Sequence, residues 1–258
     1  MSADPKPDPV DEHRMPLVEH LKELRQRLLR AVGALLVGVI ISFFFTDQLI
    51  AWVRAPLDQA LLETGVQGGL ALVNSPFEGV SVWMRVAVLG GLALASPVIA
   101  YQIWAFVAPG LYQQERRVVL PLTVSSTALF LGGGLFCYYV VLPRAFPFLL
   151  QVIDVETSLS LEGYLASIVQ IMIAFGICFQ LPIVTWFLAR LGLVDARDLI
   201  KFFRYAVVLI FVVAAIVTPD SSMMTQMFLA APLTVLYGVS IGVAWVATTK
   251  KREIIAAT

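Results

Sequence analysis

From Val86 to Gln114 the chain carries no charged side chain, and the same holds from Val118 to Pro143, from Gly163 to Ala189 and from Ser221 to Thr249. Nothing else in the sequence constrains the fold so strongly. Inside hydrocarbon no water satisfies the backbone, so only helices and closed barrels cross a bilayer. About 20 apolar residues at 1.5 Å each cover the ~30 Å core as a helix. Charged residues make up only 14% of the chain, against roughly 25% for a soluble domain. The expected class is an all-α polytopic membrane protein.

Six spans are expected, at roughly 28–45, 80–104, 118–142, 163–189, 205–218 and 223–247, within a membrane domain of residues 16–249. Residues 1–15, proline-rich and without an apolar h-region, read as a disordered tail rather than a signal peptide, and 250–258 as a second tail. The fifth segment is short: the fifteen uncharged residues from Tyr205 to Pro219 reach only about 22 Å as a helix. Orientation follows from Lys and Arg. If the N-terminus is cytoplasmic, fifteen of the 18 fall on the inside, and only Arg54, Arg85 and Arg144 outside. That bias predicts both termini in the cytoplasm. The long outer loop, 46–79, is apolar enough in places to predict an amphipathic helix near 48–62 that caps the outer face. Pro97, Pro121, Pro182 and Pro232 fall in spans and predict bent helices and a concave bundle. No internal repeat is found.

The uncharged cores hold no Asp, Glu, Lys, Arg or His, and within the expected spans the glutamines are Gln102, Gln170, Gln180 and Gln226. A proton relay needs titratable groups in the spans, so the competing reading, a secondary transporter for a small solute, has little support. No hydrolase, nucleotide-binding or metalloprotease motif occurs, so a membrane enzyme is not expected, nor is any cofactor or metal. Cys137 and Cys178 lie in apolar runs without metal spacing and read as small core residues. The zero net charge gives no reason to expect nucleic acid. His13 and His20 read as surface groups. Attention therefore moves to the cytoplasmic ends of the helices. "PLVEHLKELRQRLLRAV" has leucines at 17, 21, 24 and 28, a helical seam leading into the first span, with Glu19, Glu23 and Arg27 along one side. Glu23 and Arg27, four apart, are placed to pair. "YQIWAFVAPGLYQQERR" holds Glu115, the sole acid of the first cytoplasmic loop.

"HLKELRQRLL" (20–29), "RAPL" (54–57), "SPFEG" (75–79), "SPVIAYQIWAFVAPGLYQQERR" (96–117), "FGICFQLPI" (175–183) and "TPD" (218–220) together resemble the TatC family, the twin-arginine translocase subunit, over nearly all of 16–245. The resemblance implies six spans, both termini inside and a glove-like concave shape in a bacterial plasma membrane. It implies a core receptor that binds the twin-arginine signal peptides of folded proteins and supports their export, driven by the protonmotive force. Its implied partners are the single-span subunits TatA and TatB, and further copies of itself. The family's two recognition carboxylates fall on Glu23 and Glu115, with Arg25 and Arg27 beside the first and Phe106 an aromatic position tied to signal recognition. A guanidinium is a planar fork matched to a carboxylate, which distinguishes an arginine pair from two lysines. Pro56, Phe77 and Asp220 match outer-side positions concerned with translocation or loop structure. Thr218 and Gln226 are implied partner contacts, although "TPDSSMMTQ" is one residue longer than the family form. Gln180 stands where some relatives carry Glu; it hydrogen-bonds but cannot titrate.

Overall fold

The computed structural model describes residues 17–64, 78–107, 116–145, 161–218 and 223–256. Eight helices occur among them: α1 (Leu17–Phe43), α2 (Thr46–Thr64), α3 (Glu78–Val107), α4 (Arg116–Phe136), α5 (Leu161–Cys178), α6 (Leu181–Leu191), α7 (Ala196–Val217) and α8 (Met223–Ala256). Six stretches of helix among the described residues are long and apolar enough to cross a membrane: Glu19–Phe43, Glu78–Val107, Val118–Ala145, Glu162–Leu191, Ala196–Val217 and Gln226–Thr248. The fold is the expected all-helical, polytopic one.

Several segments differ in detail from the sequence reading. The amphipathic leucine segment does run into the first span, as one unbroken helix, α1. Its leucine seam faces outward: Leu21, Leu24 and Leu28 are all exposed, as suits a surface against lipid rather than protein. The third span passes through a π turn, Cys137–Val141. The fourth span is two helices. The chain makes a tight turn at Phe179 and Gln180, with Gln180 N–H donating to the Ile177 carbonyl at 3.0 Å. Pro182, with no N–H to give, sits in the first turn of α6, where such a donor would be unsatisfied anyway. The fifth span is not short. α7 runs 22 residues, about 33 Å, because helix continues through Arg197, Lys201 and Arg204. All three are exposed, so they reach the interface along the helix instead of ending it. Its start is fixed by a capping box, in which the Asp195 carboxylate accepts from the Asp198 N–H and the Asp198 carboxylate from the Asp195 N–H, and the Asp195 carboxylate also accepts from the Ala196 N–H. Gly192, at φ 80°, closes α6 in the left-handed region that glycine enters without strain.

α1 and α3 pack most closely. A Cβ placed on Gly38 would lie 2.5 Å from the Gly91 carbonyl oxygen, and one on Gly91 2.6 Å from the Val39 backbone nitrogen. Only glycines allow this backbone approach, the usual device where lipid supplies no hydrophobic force between helices. The contact is antiparallel, and it sorts the molecule into two ends. One end gathers the start of α1, the close of α3, the start of α4, α6, the start of α7 and the later part of α8. The other gathers α2, the start of α3, the π turn and the start of α5. At this second end lies the main core, where Val53 and Leu57 of α2 join Val86, Tyr138, Leu142, Leu165, Ile168 and Phe175. The Trp52 and Tyr138 rings stack at 4.0 Å and the Tyr138 hydroxyl donates to the Trp52 carbonyl at 2.6 Å. The helix foreseen near 48–62 is thus α2, seated over this end of the bundle.

Candidate functional site

Among the side chains described, the first end carries Lys22, Arg25, Arg27, Arg30, Arg190, Arg197, Lys201 and Arg204, against Arg54, Arg85 and Arg144 toward the other. Its core is small. Trp104, Ala105, Val119, Leu122, Ile183 and Phe187 form the buried cluster. Trp104 meets Phe187 edge-on at 5.0 Å, and its indole N–H donates to the Ser126 hydroxyl at 2.7 Å. The Ser126 carbonyl accepts from the Gln180 amide at 3.1 Å. One serine therefore ties α3 and α4 to the break between α5 and α6. Gln180 acts here as a hydrogen-bond donor, the role its side chain fills without titration.

Trp104 fixes the last turn of α3, and two residues on, Phe106 faces α1. There it stacks on His20, ring centroids 4.6 Å apart and nearly parallel at 22°. His20 is not the surface group its sequence context predicts; it is half-buried against an aromatic ring. A signal for it existed, since His20, Glu23 and Arg27 recur at i, i+3 and i+7 on one helix face. The Gln102 side-chain oxygen, one turn before Phe106, is buried without a hydrogen-bond partner among the described residues.

Glu23 and Arg27 form the expected pair. Arg27 Nε and Nη2 both donate to Glu23 Oε1, at 2.9 and 2.6 Å. Both side chains are partly withdrawn from solvent, 32% exposed for Glu23 and 19% for Arg27. With both donors on Oε1, Oε2 receives no hydrogen bond from the described residues, and a carboxylate oxygen has lone pairs to offer. Arg25 is exposed and forms no ion pair among the described residues. The structure thus brings together Glu23, Arg27, His20 and Phe106. Glu115, Phe77 and Asp220 lie outside the described residues. Pro56 is buried within α2, at the far end from Glu23. Thr218 is buried and its hydroxyl donates to the Ala214 carbonyl at 2.9 Å. Gln226 is half-buried in the opening turn of α8.

The family model described as Sec-independent protein translocase protein (TatC) matches residues 19–232. The chain belongs to the TatC family. The Sec-independent protein translocase protein TatC of Aquifex aeolicus is 38% identical over 93% of this chain and 99% of its own length. That of Magnetococcus marinus is 40% identical over 89% of this chain and 84% of its own. A crystal structure of the twin arginine translocase receptor TatC superposes with a TM-score of 0.79 at 37% identity, covering 89% of this chain and 99% of that one. A second TatC structure, in the detergent DDM, gives 0.78 at 36% identity. The family match takes in the helices of both the α1–α3 packing and the small core around Trp104.

Proposed function

We propose that this chain is the core receptor subunit of a twin-arginine protein translocase, a binding scaffold rather than an enzyme. On this reading it captures twin-arginine signal peptides of folded proteins at its basic end and takes part in their protonmotive-force-driven export. The observation that carries the reading is the state of Glu23: oriented through Oε1 by Arg27, partly desolvated, and open at Oε2 beside the His20–Phe106 stack. An incoming guanidinium meets a carboxylate already held in place, and the reduced exposure strengthens the charge-assisted hydrogen bond relative to one in water. Glu115 supplies the second carboxylate for the second arginine. Arg27 and Arg25 keep the acids from standing as an isolated negative patch, and Phe106 offers an apolar face to the residues that follow the arginine pair.

The basic end is cytoplasmic in this reading, with both termini on that side of a bacterial plasma membrane, as the excess of Lys and Arg supports. The bundle is then a concave glove capped on its outer face by α2, with Pro56, Phe77 and Asp220 on the outer side shaping the cap and loops that translocation uses. TatA and TatB dock as single-span helices at the α7–α8 turn, where the Thr218 hydroxyl, whose proton is committed to Ala214, accepts and Gln226 both donates and accepts. Further copies of the chain complete a multimeric receptor.

Crosslinking to a twin-arginine signal peptide, with its twin-lysine analogue alongside, tests the assignment. Glu23→Gln removes one charge-assisted hydrogen bond, worth about 1.5–3 kcal/mol, so capture of the arginine peptide falls roughly tenfold or more. The lysine peptide, weakly held from the start, changes less. Equal capture of both peptides, or arginine capture unaltered by charge reversal at Glu23 and Glu115, would overturn the recognition site.

A further inference from the structure

Between α4 and α8, floored by α6, runs an open apolar groove enclosing about 750 Å³. That volume is in the range of a site for one small ligand. A spanning helix of 20 residues, 30 Å long and about 10 Å across, fills roughly 2,400 Å³. The wall supplied by α8 runs over the twelve residues from Pro232 to Val243, about 16 Å, and the α6 side from Phe179 to Trp186 is shorter; α4 lines the groove further, to Phe136, so the part walled on all three sides covers about one leaflet of a ~30 Å hydrocarbon core. Ser125 is the only hydrogen-bonding side chain in the lining apart from the Trp186 indole; the rest is hydrocarbon and aromatic ring.

The two ends of the groove differ. At its deep end are Phe179 and Pro232. At its mouth Trp186 and Val243 reach the basic end of the bundle, where Ala189 of α6, Ala196 of α7 and Ala244 of α8 pack together. Arg190, one turn beyond Trp186, lays its guanidinium over the indole at 5.3 Å from the ring centroid. Arg190 is exposed and has no carboxylate partner among the described residues. The Ala189–Ala196 contact sets Arg197, also exposed, in the neighbouring turn. The acids nearby, Asp195 and Asp198, are turned to the backbone of the first turn of α7. A hydrocarbon slot one leaflet deep, with a stacked arginine at its mouth, matches an amphiphile with an apolar tail and an anionic head.

We propose that this groove holds one anionic glycerophospholipid from the leaflet at the basic end, its acyl chain lying along α8 and α6 and its phosphate on Arg190. The indole under the guanidinium orients the planar fork, which binds phosphate through two parallel donors. Arg197 adds charge that favours a net-negative headgroup over a zwitterionic one. Such a lipid fills space that the gap between α4 and α8 leaves unpacked.

Native mass spectrometry of the full chain, released from nanodiscs of mixed phosphatidylglycerol and phosphatidylcholine, tests this. The expected result is retained phosphatidylglycerol in preference to phosphatidylcholine. Arg190→Gln lowers that preference about fivefold, the effect of one basic side chain at an anionic surface. Val239→Trp, which fills the groove without touching the charge, removes retention of both lipids. Arg54→Gln, the same neutralisation at the opposite end, leaves both unchanged. Equal retention of the two lipids, an Arg54→Gln effect as large as that of Arg190→Gln, or lipid retention unmoved by Val239→Trp would each overturn the proposal. So would a photoreactive residue at Val239 that captures a protein helix instead of phosphatidylglycerol.

Discussion

The two ends of the bundle are built on different terms. At the α2 end, a single buried cluster draws residues from α2, α3, α5, α7, α8 and the π turn, and aromatic stacking and a backbone-directed tyrosine hydroxyl hold α2 over it. At the basic end the buried clusters among the described residues are small, six residues around Trp104 and three alanines joining α6, α7 and α8, a groove stays open between α4 and α8, and the polar contacts run through single atoms such as the Ser126 hydroxyl and Glu23 Oε1. One end is packed to hold the fold. The other keeps surface, charge and unused hydrogen-bonding capacity available. Stability and recognition in this chain can therefore be perturbed separately.

The strongest challenge to that division is a pair of truncations. Phe175, 1% exposed in the large cluster, should cost about 3–5 kcal/mol when changed to Ala, read as a drop in thermal midpoint in detergent. Phe187, 4% exposed in the small one, should sit at or below the low end of that range because the groove beside it lets neighbours relax. Equal losses would erase the distinction. A smaller effect is expected from Tyr138→Phe, which removes only the hydrogen bond to the Trp52 carbonyl and should lower stability by about 0.5–1.5 kcal/mol while leaving signal-peptide crosslinking intact. The mildest is His20→Ala. An aromatic pair contributes about 0.5–1.5 kcal/mol, so signal capture should fall several-fold with the thermal midpoint nearly constant, and His20→Phe should restore it. Failure of His20→Phe to rescue would show that the imidazole, not the stacked ring, is what Phe106 needs.

Much of this architecture was legible in the sequence for a physical reason. Lipid forbids unsatisfied backbone, so long uncharged runs have few structures open to them, and the run from Val86 to Gln114 led directly to α3. The Glu23–Arg27 pair followed from spacing alone. The length of α7 did not, because counting uncharged residues stops at Arg204 whereas the helix does not. The break at Gln180 was only half visible: Pro182 marked a bend, but the side chain that fastens the break, to a carbonyl 54 positions earlier, has no local signature. Nor does the π turn at Cys137–Val141. The partner of Phe106 was visible only in part, for His20 shares a helix face with Glu23 and Arg27, but nothing local ties it to a ring so far away in sequence. Glu115 rests on the family resemblance, since it falls outside the described residues.

The continuity of α1 has a metric consequence. Glu23 and Gly38 belong to the same rigid rod, fifteen residues or about 22 Å apart, and Gly38 is fixed against Gly91 inside the bundle. The carboxylate therefore stands at a set height and bearing relative to the helix contact. Anything that binds it is registered against that depth, as on a ruler, and each residue added between the two marks would raise the acid by about 1.5 Å and swing it through about 100°.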